Sequence, residues 1–135
     1  MSLEIDALNP STVWQVPETF RAVYTHAMRV KHGTEMLFVS GQFGVRPDGT
    51  LPADFAAQAE QALANVEALL AAAGMGLDNV VKLTYLLTRA DDAPELVKLR
   101  ARKWAGRQAP AVTVVTVVAL AKPEYLVEIE ATAVA

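Results

Sequence analysis

The sequence predicts an α+β fold: a mixed β-sheet with two helices on one face, its elements in the order β-β-α-β-α-β-β. Three observations carry that expectation. Apolar residues recur at three- and four-residue spacing over 55–73, the period of an amphipathic helix. Alternation over 80–88 and again over 125–134 has the period of a strand. Between them, 111–119 (AVTVVTVVA) places β-branched residues on both alternating faces, which predicts a central strand covered twice. Two helices can cover only one face of such a sheet, so the second face requires a partner.

Taken in order, residues 1–22 hold Pro10 and Pro17 and little periodicity, and predict an irregular N-terminal arm with a mobile end. A single domain, 23–135, follows. Residues 23–31 read as a strand and 35–40 as a second after a turn at His32-Gly33, together a hairpin. In the loop 41–53, Pro47-Asp48-Gly49 is a turn sequence, proline presetting φ and glycine accepting a positive one. Asp54 then caps the first helix, with Phe55, Ala59, Leu63, Val66 and Leu70 on its apolar face and Gln58, Glu60, Gln61 and Glu67 mostly opposite; Gly74 stops it. In 80–88, Val81, Leu83, Tyr85 and Leu87 alternate with Lys82, Thr84 and Thr88. The second helix starts behind Asp91 or Asp92, tolerates Pro94 in its first turn and ends at Gly106, with the basic run around Arg100 as its wet side. In the last strand Leu126, Glu128, Glu130 and Thr132 share one face, and Val127, Ile129, Ala131 and Ala133 the other.

Composition narrows the function classes. Of 71 hydrophobic residues 24 are alanine, which leaves 47 larger ones in a chain of 135. A domain of this size buries only about two thirds of its unfolded surface, so this apolar excess points to self-association. With no cysteine, a disulfide scaffold, a thiolate metal site and a cysteine nucleophile drop out. No run reaches the ~18 apolar residues of a membrane span, and Glu4 and Asp6 spoil any secretory leader. The expected location is cytoplasmic. A net charge of −3 and no dense basic cluster argue against nucleic-acid binding.

A set of short anchors then carries a family resemblance: Val23-Tyr24-Thr25, Leu37-Phe38-Val39-Ser40-Gly41-Gln42 and Gln61-Ala62-Leu63-Ala64-Asn65-Val66. After them come Ala72-Ala73-Gly74, Asp78-Asn79-Val80-Val81-Lys82, Ala109-Pro110-Ala111 and Val127-Glu128-Ile129-Glu130-Ala131. In this order they resemble the YjgF/RidA family of reactive intermediate deaminases, formerly called L-PSP endoribonucleases or translation inhibitors. The resemblance implies a chorismate mutase-like fold, a homotrimer with its sheets facing inward, and small-molecule clefts between subunits. It implies hydrolysis of an enamine or imine to a carbonyl product and ammonia, with no metal or organic cofactor.

That chemistry needs a cation to hold a substrate carboxylate and an acid/base group to position water. The resemblance assigns the second role to Glu128 and a cleft-lining role to Tyr24. It places the clamp, an arginine in the family, at Val112, and a residue that is often cysteine at Val114. The expectation is therefore a divergent member and not a standard 2-aminoacrylate deaminase. Ser40, Gly41 and Gln42 end a strand where backbone N–H groups can face a ligand, and glycine permits close approach; a plain turn explains them equally. His26 shares Tyr24's face in a regular strand. Thr113 or Thr116 could bond a ligand instead of the arginine, although strand preference explains both. Arg46, Arg89 and Arg107 read as solubility charges that could reach a cleft. A non-enzymatic ligand-binding trimer is the alternative function.

Overall fold

In the computed structural model, which describes Met1–Ala135, the chain runs β1 (Glu4–Leu8), α1 (Glu18–Arg21), β2 (Ala27–Lys31), β3 (Met36–Phe43), α2 (Phe55–Ala72), β4 (Val80–Leu87), α3 (Ala93–Lys103), β5 (Ala111–Thr116) and β6 (Val127–Val134). From β2 onward this is the expected element order. The main sheet has the order β3-β6-β4-β5, with β4 and β5 parallel and the other pairs antiparallel. Asp54 caps α2 by accepting the Ala57 N–H at 3.2 Å, and Gly74, at φ 71°, ends it.

Both long helices lie on one face of this sheet. Val39, Leu83, Tyr85, Leu87, Val127, Ile129 and Ala131 meet Phe55, Leu63, Val66 and Leu70 of α2 and Leu96 and Leu99 of α3 in one buried core. The opposite face carries Lys82, Thr84, Glu128, Glu130 and Thr132, and it is uncovered: Met36 is 62% exposed and Phe38 73%.

Four expectations are corrected. Residues 1–22 are not an irregular arm, because β1 pairs with β2 and α1 follows it. Glu4 and Asp6 stand opposite Lys31 and Arg29, with ion pairs of 2.6 and 2.8 Å, so charge complementarity sets this register more than apolar burial does. For the same reason 23–31 and 35–40 form no hairpin: β2 takes β1, while β3 takes β6 and Glu35 exchanges backbone hydrogen bonds with Ala135. The β-branched strand is at the edge of the sheet, not its centre, and Val114 and Val115 remain 38% and 39% exposed. A two-sided apolar run reports that both faces avoid water, not which strand of this chain flanks it.

The fourth correction is Gln58, which lies on the buried side of α2. Its amide donates to the Pro52 and Glu124 carbonyls at 2.9 and 3.0 Å and accepts the Leu126 N–H at 2.9 Å, so the polar group is satisfied where it is buried.

Candidate functional site

The predicted site residues gather around Glu128 on the uncovered face and around Val112 on the helix side of the sheet, and Ser40 and Gln42 also line a groove of about 430 Å³ beside Leu69, Ala72 and Ala73. The Glu128 group is built by a β-bulge. Val39 pairs with Ala131 and Gln42 with Ile129, so Ser40 and Gly41 together oppose Glu130. Such a bulge bends the strand and re-aims its side chains. It brings the Gly41 backbone against Glu128: a Cβ on Gly41 would lie 2.6 Å from the carboxyl carbon and 2.7 Å from Oε2. The close approach expected of Gly41 is therefore made to the candidate catalytic carboxyl. Gln42 turns back, its amide donating to the Ser40 carbonyl at 3.0 Å.

Glu128 sits half-buried on the uncovered face, and its carboxyl is held above the ordinary glutamate value. Burial is the larger cause, and the negative charge of Glu130 on the same face adds to it. Gly41→Ala is expected to leave the melting temperature within a few degrees, because the atoms it meets belong to a flexible side chain. It should swing Glu128 toward water and lower its pKa toward the ordinary value, which NMR titration of the carboxyl would read.

The second group surrounds a cavity of about 380 Å³ between α3, the edge strand β5 and the N-terminal segment. Tyr24, Val112 and Val114 line it, as do Trp14, Phe20 and Leu96. His26 holds this corner together. Its Nε2 lies 2.6 Å from the Trp14 carbonyl, which can only accept, so Nε2 carries the proton and a neutral ring leaves Nδ1 to accept from the Tyr24 hydroxyl at 3.2 Å. The two rings meet edge to face at 5.1 Å. His26 thus positions Tyr24.

The other candidates are occupied elsewhere. Thr113 accepts from Lys82 at 2.7 Å on the uncovered face, outside the cavity. Thr116 is exposed and does not line it. Arg46 donates to Thr50, while Arg89 and Arg107 pair with Asp92 and Asp78. A larger cleft of about 530 Å³ between 51–53 and 122–126 includes Arg89, already paired, and Gln58, already satisfied.

Arg100 is the residue that sequence reasoning misplaced. Far from forming the wet side of α3, it is 5% exposed and lines the same cavity as Tyr24 and Val112. The signal was present: Ala93, Leu96, Val97 and Arg100 follow i, i+3, i+4, i+7 spacing and all face the cavity.

Comparison with known proteins places this architecture. A family model described as Endoribonuclease L-PSP matches residues 17–135. TdcF of Escherichia coli strain K12, provisionally named a reactive intermediate deaminase, is 37% identical over 102 residues, covering 73% of this chain and 78% of that protein. The 2-iminobutanoate/2-iminopropanoate deaminase of the same strain is 45% identical over 58 residues, 42% of this chain; the match spans 45% of that enzyme, less than half its length. Among solved structures, a protein of unknown function of the conserved Rid family from Yersinia pestis superposes with a TM-score of 0.85 at 28% identity, covering 97% of this chain and 98% of that one. E. coli TdcF with bound serine superposes at 0.70 with 34% identity, over 90% of this chain and 99% of its own.

Proposed function

The chain belongs to the endoribonuclease L-PSP family, the YjgF/RidA proteins, and from that premise we propose that it is a homotrimer whose intersubunit clefts hydrolyse an enamine or imine to a carbonyl compound and ammonia. One observation carries the reading: Glu128, its carboxyl raised by burial, is packed on the Gly41 bulge on a sheet face that its own chain leaves open. A carboxylate so placed takes a proton from water as the oxygen adds to the C=N carbon and passes it to the nitrogen, then takes the hydroxyl proton of that adduct and delivers it to the nitrogen as the C=O bond forms and ammonia leaves. The C–O bond forms, the C–N bond breaks, and no oxidant or reductant is consumed. An enamine first takes a proton on carbon to become the imine.

Self-association has its own support. Met36, Phe38 and Val115 leave apolar area on the uncovered face, and beyond the Thr25–Ala111 bridge the outer edge of β5 is unpaired, which is the layer a partner sheet would cover. Glu128 and the residues around Val112 lie on opposite faces of the sheet in one chain, and a cleft between subunits is the arrangement in which they could meet. The ribonuclease implied by the family's older label is not favoured, since a net charge of −3 opposes approach of a phosphate backbone.

Glu128→Gln is expected to lower ammonia release from freshly generated imines by about 100-fold or more. Glu130→Gln removes the like charge and lowers the Glu128 pKa, so the acid limb of the pH profile should move to lower pH. Equal rates for Glu128→Gln and the parent would remove the catalytic assignment. The apolar walls at Val112 and Val114 favour one other reading, a trimer that binds a ligand without turnover; ligands that raise the melting temperature and remain chemically intact would select it.

A further inference from the structure

Arg100 is in a state that the fold by itself does not explain. A guanidinium carries five N–H donors and a permanent charge, and a buried charge is normally paired with an opposite one. Arg100 makes one hydrogen bond, from a terminal nitrogen to the Val23 carbonyl at 2.6 Å, and its guanidinium carbon lies 5.4 Å from the centre of the Tyr85 ring. It takes part in none of the eight ion pairs, although the neighbouring Arg102 and Lys103 both reach Glu60. The charge is instead presented to a cavity in which nine of eleven lining residues are hydrophobic.

We propose that Arg100 is the anion-binding group of a ligand pocket that accepts a monocarboxylate with an apolar body. The chemistry selects this class. Arg100 is the only cationic residue among the eleven that line the cavity, so it balances a single negative charge, and its planar fork matches a carboxylate through two hydrogen bonds. A phosphate dianion would keep excess charge among apolar walls. Trp14, Phe20, Leu96, Val112 and Val114 receive the apolar body, and about 380 Å³ lies within the ordinary range of small-molecule sites. Burial lowers the Arg100 pKa, the direction expected of a guanidinium without an anion. The inference deepens the proposed function and rests on its small-molecule cleft: the carboxylate clamp that the family resemblance places on β5, at Val112, is supplied from α3.

Phenylacetate and its neutral analogue phenylacetamide, titrated into the intact protein by calorimetry with Trp14 fluorescence in parallel, provide the test. The parent is expected to bind phenylacetate roughly tenfold or more tightly than phenylacetamide. Arg100→Met, which keeps the stem and removes the charge, should abolish that preference, and Arg100→Lys should retain part of it. Both a ligand-binding and a merely fastening Arg100 predict a lower melting temperature for Arg100→Met, and only the fastening role predicts that the preference stays intact. If Arg100→Met does not fold, Val114→Phe fills the cavity from a part-exposed wall and should block phenylacetate. No saturable binding in the millimolar range, equal affinity for acid and amide, a preference that survives Arg100→Met, or binding that survives Val114→Phe would each overturn the proposal. Its failure is distinguishable from that of the hydrolase reading: ammonia release without phenylacetate binding removes only the Arg100 pocket, and phenylacetate binding without ammonia release removes only the chemistry.

Discussion

Gly44→Ala is expected to destabilise the protein by about 3 kcal/mol, a large share of the ~5–15 kcal/mol that holds a domain of this kind folded. The reason is a backbone-to-backbone contact. At the end of β3 the chain lies on α2, and Asn65 fixes it there by donating to the carbonyls on both sides of Gly44, Phe43 and Val45, each at 3.0 Å. A Cβ on Gly44 would overlap the Gln58 carbonyl oxygen and lie 2.6 Å from its Cα. Neither atom can move without shifting the helix whose Gln58 side chain also holds the 52 and 124–126 segments. Urea denaturation would read the loss directly, with Gly76→Ala as the control: Gly76 has open space around its added methyl and an extended φ of −142°. Equal stability of the two variants would show that β3 and α2 separate more easily than this contact implies.

How much of this was legible in the sequence follows from what periodicity measures. It reports which face of an element avoids water, so α2, β4 and β6 emerge with nearly their observed bounds. It does not report which element covers that face, and the errors in strand placement are of that kind. β2 is paired by charges on β1 and not by its neighbour in sequence. β5 has apolar residues on both faces yet ends the sheet. Gln58 is a polar residue on the buried stripe, made acceptable by three hydrogen bonds to backbone 6 and 66–68 residues away, which no local pattern contains. At the site, the anchors around Ser40 and Glu128 are local strings and were readable. Arg100 was read with Arg102 and Lys103 as one basic run, although its spacing from Leu96 places it on the apolar side.

The burial of Arg100 beside Val112 decides what an arginine at position 112 is expected to do. By the family resemblance, Val112→Arg would put an arginine where the family keeps its carboxylate clamp, and the sequence leaves open whether 2-aminoacrylate would then be hydrolysed. In the structure Val112 is nearly buried and shares its cavity with Arg100, so the substitution puts two guanidinium groups among apolar walls. At a separation of ~6 Å and an effective dielectric of ~20 their repulsion is about 3 kcal/mol. Val112→Arg alone is therefore expected to lower the melting temperature by roughly 10 °C and to gain no 2-aminoacrylate deamination. Adding Arg100→Met removes the second charge, and the double variant should be more stable than Val112→Arg by that ~3 kcal/mol less what the same substitution costs the parent. In the parent the same Arg100→Met loses a side chain that packs on Tyr85 and holds Val23, and is expected to be destabilising. The substitution changes sign with its background, and a double-mutant cycle by denaturation measures the coupling. A Val112→Arg variant as stable as the parent, or an effect of Arg100→Met that is the same in both backgrounds, would mean that the two side chains do not share one cavity. A coupling of the expected size would locate the unpaired charge in the cavity without reference to any ligand.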